Sequence, residues 1–345
     1  MCGITGYIDL KNPTSGNDLK PMMDSLTHRG PDAEGEFHEE NIHLGHRRLS
    51  IIDLSEEANQ PMHSQCNRYV IVYNGEVYNF KEIGKELEVN LRTNSDTEVV
   101  LESFAKWGSE CLHKFNGMFA FAIWDKEKKE LFLARDRIGI KPLYYYEDEE
   151  RFYFASELKS IKSVCKDLRI DKTAINEFLH LGYIPQPHSI YEEVRKFPSG
   201  NHGTFKDSNL MLKPYWKLEE KISNDVLKDE NEAKKKLNEL LYDSVQKRMI
   251  SDVPMGTFLS GGIDSSAVTA MAQKVSKEPV KTFSIGFKEG GFDESLWAKK
   301  VADHLGTDHH EFILSEKDVL DLVNDIIPTY DEPYGDSSAL PTMLV

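Results

Sequence analysis

The texture of the chain changes once, between Lys217 and Lys236, where 12 of 20 residues are charged and few are apolar. Such a segment reads as a solvated connection running into the start of a helix, so the chain must fold as two bodies. Its 345 residues suit that division at roughly 100 to 200 residues per domain. Before the connection the pattern is mainly strands. Ile4–Leu10, Tyr69–Tyr73, Met118–Trp124, Leu131–Arg135 and Phe152–Ala155 are short, β-branched or aromatic, and bounded by Gly, Asn or charged turns. Helical periodicity appears at Asp18–Thr27, at Thr97–Trp107 after the cap-like Asp96, and at Lys172–Leu181 after Asp171. Many strands with a few helices predict a layered α+β domain. After the connection strands and helices alternate: helix Glu232–Arg248, strand Gly256–Leu259, helix Asp264–Lys274, strand Lys281–Phe287, helix Glu294–Leu305, strand His309–Leu314 and helix Glu316–Ile327. That order predicts a parallel α/β sheet. The predicted boundaries are 2–212 for the first domain, 213–231 for the connection and 232–345 for the second.

Composition removes several classes of function. With 42 basic and 58 acidic residues the formal charge is −16, and such a field repels phosphate backbones, so a nucleic-acid partner is not expected. The 39% apolar and 10% aromatic content places the chain outside the disordered regime. No run reaches the roughly 18 apolar residues of a membrane span, and the N-terminus lacks a secretory pattern, so no membrane partner and a cytosolic location are expected. Four cysteines, Cys2, Cys66, Cys111 and Cys165, lie too far apart for a disulfide framework or a zinc knuckle. The last three read as ordinary buried or semi-buried thiols.

Cys2 differs. It is small enough for Met1 to be removed, which would leave one residue carrying both a thiol and a free α-amine. The amine, with an unperturbed pKa of about 7.7 to 8.0, can take the thiol proton, so the residue holds its own base. A terminal cysteine is by default an incidental thiol on a frayed end. Here Gly3-Ile4-Thr5-Gly6-Tyr7-Ile8 read as a strand that would pin it, and Gly3 would let a substrate approach. Acyl transfer also needs oxyanion donors. Asn74-Gly75-Glu76 follows a strand, where a turn would present the Asn amide and the Gly N–H together. An amino-acid substrate further needs an acid for its ammonium and a base for its carboxylate, and Asp96 and Arg48 are the candidates. On spacing alone the Asn-Gly pair is equally a hairpin turn, Asp96 a helix cap and Arg48 a surface arginine. With the amine as base no histidine is required, and His28 is given a structural role.

The second constellation is Ser260-Gly261-Gly262-Ile263-Asp264-Ser265-Ser266, between an apolar strand and a helix. A glycine-rich turn feeding a helix N-terminus offers free N–H groups and the positive end of the helix dipole, a seat for phosphates. It lacks GK[ST] and is not a Walker loop. Ser260, Ser265 and Ser266 can donate hydroxyls, and Asp264 is the candidate to help hold Mg²⁺ bridged by phosphate oxygens. A tight turn with good capping residues would explain the Asp and a Ser, but not two glycines and three serines together. His309-His310-Glu311 lies in a predicted strand whose neighbours face opposite sides, which argues against a shared metal. Tyr144-Tyr145-Tyr146 reads as strand packing.

Together the two constellations carry a family resemblance. MCGITGY, HRGPD (His28–Asp32), HRRLSIID (His46–Asp53), YNGEVYN (Tyr73–Asn79), NSDTEV (Asn94–Val99), GMFAFAIWD (Gly117–Asp125) and ARDRIGIKPLYY (Ala134–Tyr145) resemble an N-terminal-nucleophile, class II glutamine amidotransferase domain. VPMGTFLSGGIDSS (Val253–Ser266), KTFSIGF and HLGTDHHEF resemble the ATP-pyrophosphatase domain of glutamine-hydrolysing asparagine synthetases. The resemblance implies an αββα N-terminal-nucleophile sandwich followed by an α/β parallel-sheet domain of the adenine-nucleotide α-hydrolase type. It implies that Cys2 attacks the glutamine carboxamide, with Asn74 and Gly75 stabilising the oxyanion. It further implies that Arg48, Leu49, Ser50, Ile51, Ile52, Asn74, Gly75, Glu76 and Asp96 bind the glutamine. Ammonia would pass through an internal channel to an aspartate activated by ATP as β-aspartyl-AMP, giving asparagine, AMP and pyrophosphate. Leu259, Ser260, Gly261, Gly262, Asp264, Ser265, Ser266 and Ile285 would bind ATP. Partners would be the small-molecule substrates glutamine, aspartate and ATP, with a homodimer as an open assembly. The family carries a further SGEGxDExFGGY loop downstream of a segment like YDEPYGDSSALPT (Tyr330–Thr342), which this sequence does not reach by Val345. The expectation is therefore an N-terminal fragment of a longer enzyme with an incomplete second domain. The alternatives are amidation of another carboxylate, or a glutaminase-only or regulatory fragment.

Overall fold

A computed structural model describes residues 1–11, 16–223, 226–288, 293–336 and 338–343. Asn224 and Asp225 of the charged connection, and Leu344–Val345 of the second predicted domain, lie outside the described residues. The chain divides into two units: Met1–Ile222 with Asp331–Gly335, and Ser223–Tyr330 with Asp336–Val345.

In the first unit twelve strands form two six-stranded sheets. They are β1 (Gly3–Asp9), β2 (Ala33–Glu39), β3 (Ile42–Arg48), β4 (Met62–His63), β5 (Tyr69–Val77), β6 (Gly117–Asp125), β7 (Glu130–Arg135), β8 (Tyr144–Glu147), β9 (Arg151–Ala155), β10 (Val194–Lys196), β11 (Asn201–Lys206) and β12 (Asn209–Pro214). One sheet runs β10-β8-β9-β1-β3-β2 and the other β12-β11-β7-β6-β5-β4. The period of two sorts side chains between layers. Ile4 and Ile8 of β1 enter the core between the sheets with Leu44, Val72, Ala122, Leu133 and Phe154. Tyr7, from the opposite face, joins Leu19, Met22, Met23, Leu158 and Ile161. Those belong to α1 (Leu19–Asp24) and a later helix, Leu158–Val164, which cover that sheet. The other sheet carries α2 (Phe80–Leu87) and α3 (Asp96–Trp107), with Phe104 of α3 edge-on to Tyr69 of β5 at 5.4 Å. The result is the layered αββα sandwich. Each fully buried Ile, Leu or Phe contributes roughly 1.5–3 kcal/mol of transfer free energy, so the sorting itself is the main stabilising term.

Local corrections have local causes. The helix expected at Asp18–Thr27 is shorter, Leu19–Asp24, followed by a 3₁₀ turn at Thr27–Arg29. β12 continues through Lys213 and Pro214, and the Tyr215 hydroxyl donates to the Arg135 carbonyl at 3.0 Å, so the first unit extends past residue 212. Lys172–Leu181 is helical as expected, with the Asp171 side chain accepting the N–H of Thr173 at 2.7 Å. Tyr144 and Tyr146 pack with the helix-side core while Tyr145 joins the inter-sheet core, the alternation of a strand. Cys66 is exposed rather than buried, whereas Cys111 is buried and Cys165 is intermediate.

The second unit alternates as expected: Glu230–Arg248, β13 (Gly256–Phe258), Ile263–Val275, β14 (Lys281–Phe287), Ser295–Leu305 and β15 (Asp308–Leu314). The three strands are parallel in the order β13-β14-β15. Small cores lie where helices meet the sheet, one around Val245, Ala272 and Val280 and another around Leu259, Ala298 and Ala302. The helix expected at Glu316–Ile327 is broken into Glu316–Asp321, a 3₁₀ turn Val323–Asp325 and Ile326–Thr329. Pro328 offers no N–H and its ring opposes the carbonyl four residues back. Leu320, Val323 and Ile327 are exposed, so packing does not enforce a continuous α-helix. His309 turns to Thr282 and Ser284, while His310 stacks on Phe283, so the two histidines diverge. Among the described residues no helix is long and apolar enough to cross a membrane, and no cluster of three or more His, Cys, Asp or Glu could hold a metal.

Candidate active sites

β1 is a central strand of its sheet, pairing with β3 from Gly3↔Arg47 and with β9 from Thr5↔Ala155. Cys2 is therefore held one residue ahead of a doubly paired strand, not on a frayed end. Its thiol donates to the Leu49 carbonyl at 3.7 Å, and Nε of Arg29 donates to the Cys2 carbonyl at 2.9 Å. Arg29 is fixed in turn by Glu157, 2.6 Å from Nη1. Burial pushes the Cys2 thiol up from its ordinary pKa. A Cβ on Gly3 would meet the Leu26 Cβ at 3.0 Å. Gly3 thus makes room for the packing of Leu26.

A cavity of about 260 Å³ opens beside Cys2. Of the residues expected to bind an amino acid, Arg48, Leu49, Ile51, Ile52, Asn74, Gly75, Glu76 and Asp96 line it; Ser50 does not, and its N–H donates to Asp32 at 2.8 Å. Asn74 and Gly75 do not form a turn. They lie inside β5, opposite Ala120 and Phe119 of β6, and a Cβ on Gly75 would sit 2.5 Å from the Met118 carbonyl oxygen. Only glycine permits that approach. The Asn74 side chain is 1% exposed, and its Nδ2 has no hydrogen-bond partner among the described residues. A buried amide donor left open costs about 1–3 kcal/mol, which a developing oxyanion would relieve.

The charged residues of the cavity are built in, not draped over it. Arg48 gives Nη1 to the Ser55 carbonyl at 2.7 Å and to Asn59 Oδ1 at 2.6 Å, and Nη2 to the Asp53 carbonyl. Asp96 is not the helix cap. Ser95 caps α3 by accepting the Thr97 N–H at 3.1 Å, which leaves Asp96 as the first helical residue. The Asp96 carboxylate instead accepts from the Tyr73 hydroxyl at 2.7 Å and the Val77 N–H at 2.9 Å. Burial pushes it above the usual carboxylate range, and those two donors act against the rise. Sequence reasoning passed over several supports. Tyr73 gives its N–H to Gln60 Oε1 at 2.6 Å. Its carbonyl lies 3.2 Å from Nε2 of His46, which burial pulls down to about 3, so the ring is neutral and Nε2–H donates. Gln60, Tyr73 and Lys141 all line the cavity. His28 sits on the surface, with Nε2 3.0 Å from Glu157.

The second unit has its own cavity, of about 410 Å³, lined by Leu259, Ser260, Ser265, Ser284, Ile285, Ala298 and several neighbours. Gly261, Gly262, Asp264 and Ser266 are in the same loop and helix start but are not among its lining residues. Gly261 has φ +80°, and a Cβ there would meet the Ala298 nitrogen at 2.6 Å, so both backbone and space require glycine. Ser260 Oγ and Ser265 Oγ are 3.0 Å apart. The helix beginning at Ile263 has no side-chain cap on Gly262, and Ser266 Oγ is buried without a partner among the described residues. Uncapped N–H groups and paired hydroxyls at a helix N-terminus suit phosphate oxygens.

A glutamine amidotransferase domain model matches residues 1–216 and an asparagine synthase model residues 236–345. A Methanocaldococcus jannaschii protein, provisionally named glutamine-hydrolysing asparagine synthetase 2, is 40% identical over all of this chain and 71% of its own length. The Bacillus subtilis glutamine-hydrolysing asparagine synthetase 1 is 38% identical over all of this chain and 55% of its own length. The chain thus spans only about half to two-thirds or so of the curated relatives. A solved structure described as the allosteric regulatory enzyme of purine biosynthesis is 16% identical, covers 90% of this chain and 80% of its own, and has a TM-score of 0.50, a likeness of fold alone.

Proposed function

Since the chain belongs to the family of glutamine-hydrolysing asparagine synthetases, we propose that its first unit hydrolyses glutamine at Cys2 and that the ammonia serves the amidation of an ATP-activated aspartate. The observation that carries the reading is the Asn74 amide. It is a buried donor without a protein acceptor, in one cavity with Cys2, Gly75, Arg48 and Asp96.

With Met1 removed, the α-amine of Cys2 accepts the thiol proton, sulfur bonds to the carboxamide carbon, and the carbonyl electron pair moves to oxygen opposite Asn74 and Gly75. Collapse breaks the C–N bond, the ammonium proton leaves with the nitrogen as ammonia, and a thioester remains for water to cleave. Arg48 pairs with the substrate carboxylate and Asp96 and Glu76 with its ammonium. A cavity lined by Arg48 together with Glu76 and Asp96 offers both charges that a free amino acid needs.

In the second unit, Ser260, Ser265 and the N–H groups at the start of the Ile263 helix would hold the pyrophosphate of ATP, with Leu259 and Ile285 against the adenosine. Asp264 is exposed in the first helical turn. A hard dication held by one carboxylate and phosphate oxygens fits that donor set, so Asp264 would hold Mg²⁺, which supplies charge neutralisation to the phosphates. Aspartate attacks the α-phosphorus, pyrophosphate leaves, and ammonia displaces AMP. A cytosolic setting suits four free cysteines.

The test is a pair of assays on the mature chain. Glutamate release should fall at least a thousandfold in Cys2→Ala, while release of AMP and pyrophosphate from ATP, aspartate and ammonia stays at the wild-type level. Glutamine hydrolysis that survives in Cys2→Ala would refute the first half of the proposal. Absence of ammonia-dependent pyrophosphate release from wild type would refute the second for this chain.

A further inference from the structure

Lys141 belongs to the loop after β7, and its side chain enters the glutamine cavity while only 4% of the residue is exposed. The loop is built to present it. The Asp136 carboxylate accepts the N–H groups of Ile138 at 3.2 Å, Ile140 at 2.9 Å, Lys141 at 2.9 Å and, from β6, Phe119 at 3.2 Å. Arg135 then donates to the Lys141 carbonyl at 2.8 Å and to the Gly139 carbonyl at 2.9 Å. A loop knitted this tightly delivers one ammonium to a fixed place. There it donates to the Met1 sulfur, 3.1 Å from Nζ, a weak acceptor.

Removal of Met1 takes that partner away. A buried ammonium without a partner costs several kcal/mol, so Lys141 must turn to what faces it. The charged groups around it are Glu76, Arg29, Cys2 and Asp136. Arg29 repels it, and the Asp136 oxygens are already taken by four backbone donors. Cys2 and Glu76 line the same cavity as Lys141.

We propose that Lys141 is a charge-balancing, positioning residue of the glutaminase reaction: in the mature chain its ammonium stands against Cys2 and Glu76, favours the thiolate over the thiol, and holds the neighbouring α-amine unprotonated so that it can act as base. The inference rests on the reading of Cys2 as nucleophile. Lys141 keeps its proton throughout; the proton moves from sulfur to the α-amine and from there to the leaving ammonia. Burial already presses the Lys141 ammonium below the usual lysine range; while Met1 is still in place its terminal amine is pressed down by burial, pushed back up by Cys2, and lowered again by Arg29 and Lys141. The other groups facing the pair are Asp32 at the amine, and Asp96 and Arg48 at the thiol.

The experiment follows Cys2 alkylation by iodoacetamide against pH, without glutamine, in protein whose loss of Met1 is verified by intact mass. Wild type is compared with Lys141→Met, Lys141→Gln and Lys141→Arg, alongside kcat and KM for glutamine hydrolysis. In Lys141→Met and Lys141→Gln the alkylation midpoint should rise by about one pH unit, a tenfold loss of thiolate below the midpoint. kcat should fall about tenfold with KM changed less than about threefold, and Lys141→Arg should restore the midpoint. An unmoved midpoint in Lys141→Gln, or one moved equally by Lys141→Arg, overturns the inference. If Lys141→Met does not fold, the Gln and Arg variants decide by the same criteria. Wild type that neither labels at Cys2 nor hydrolyses glutamine would bring down the nucleophile reading itself, which is a separate outcome.

Discussion

Asp96 shows how a single residue trades stability for a site. Its carboxylate is buried under the Tyr73 hydroxyl and the Val77 N–H, and burial raises its pKa. A carboxyl raised in the folded state binds its proton more tightly there than in the unfolded chain. As pH climbs through the ordinary aspartate range the unfolded state ionises first, so folding stability declines through that window and stays lower above the raised value. Asp96→Asn removes this penalty. We expect its melting temperature at pH 7 to equal or exceed that of wild type by calorimetry, while KM for glutamine rises about 10- to 100-fold through loss of a charged hydrogen bond of roughly 1.5–3 kcal/mol. A variant that melts lower and binds glutamine normally would reverse the assignment. The identity of Asp96 as a candidate was legible from residue type, but its freedom from capping was not. Asp and Ser are about equally good caps, and only the backbone path showed that Ser95 takes that place.

At the scale of elements, the sequence was most legible where periodicity was sustained and least where a strand bends into function. β14 begins and ends at the expected residues, Lys281 and Phe287, and the Ile263–Val275 helix lies within a residue of expectation at each end. Asn74-Gly75 read as a turn because that dipeptide favours hairpins. Pairing with β6 overrode the preference and carried β5 on to Val77. The turn before the Ile263 helix is the reverse case, since Gly261 combines positive φ with a 2.6 Å approach to Ala298. Gly261→Ala should misplace the start of that helix. The expected result is loss of ATP binding by isothermal titration calorimetry, at least tenfold, with glutamine hydrolysis within twofold of wild type. Retained ATP affinity would mean that the loop does not seat the phosphates.

At the scale of the whole molecule, the first unit is not continuous in sequence, for it includes Asp331–Gly335. Glu332 lies 2.7 Å from Lys196 Nζ and accepts the Ile190 N–H at 3.0 Å; Asp331 accepts the Lys159 N–H at 3.0 Å; and the Gly335 N–H donates to the Gly182 carbonyl at 2.8 Å. Glu332→Ala strands the Ile190 N–H and leaves the Lys196 ammonium with only the Ile184 carbonyl, and should cost about 1–3 kcal/mol, read as a lower urea midpoint of the glutaminase unit. Glu332→Gln keeps an acceptor for Ile190 and should lose less. Equal stability of all three proteins would show that the Glu332 contacts add nothing to the unit. Composition marked the charged break near residue 217 but gave no sign that a later segment returns, because a short run such as DEPYG carries no period that names its partner. What the sequence by itself determined was the chemistry available, a thiol next to an amine and a glycine-serine turn before a helix, and the strand and helix rhythm that layers the first unit. What only the tertiary structure decided was which distant groups meet them. Arg29 reaches the Cys2 carbonyl across 27 positions and Lys141 reaches Met1 across 140. The reason is physical: period and residue type set which face a side chain takes, whereas sheet register and packing density set which remote side chains that face will touch.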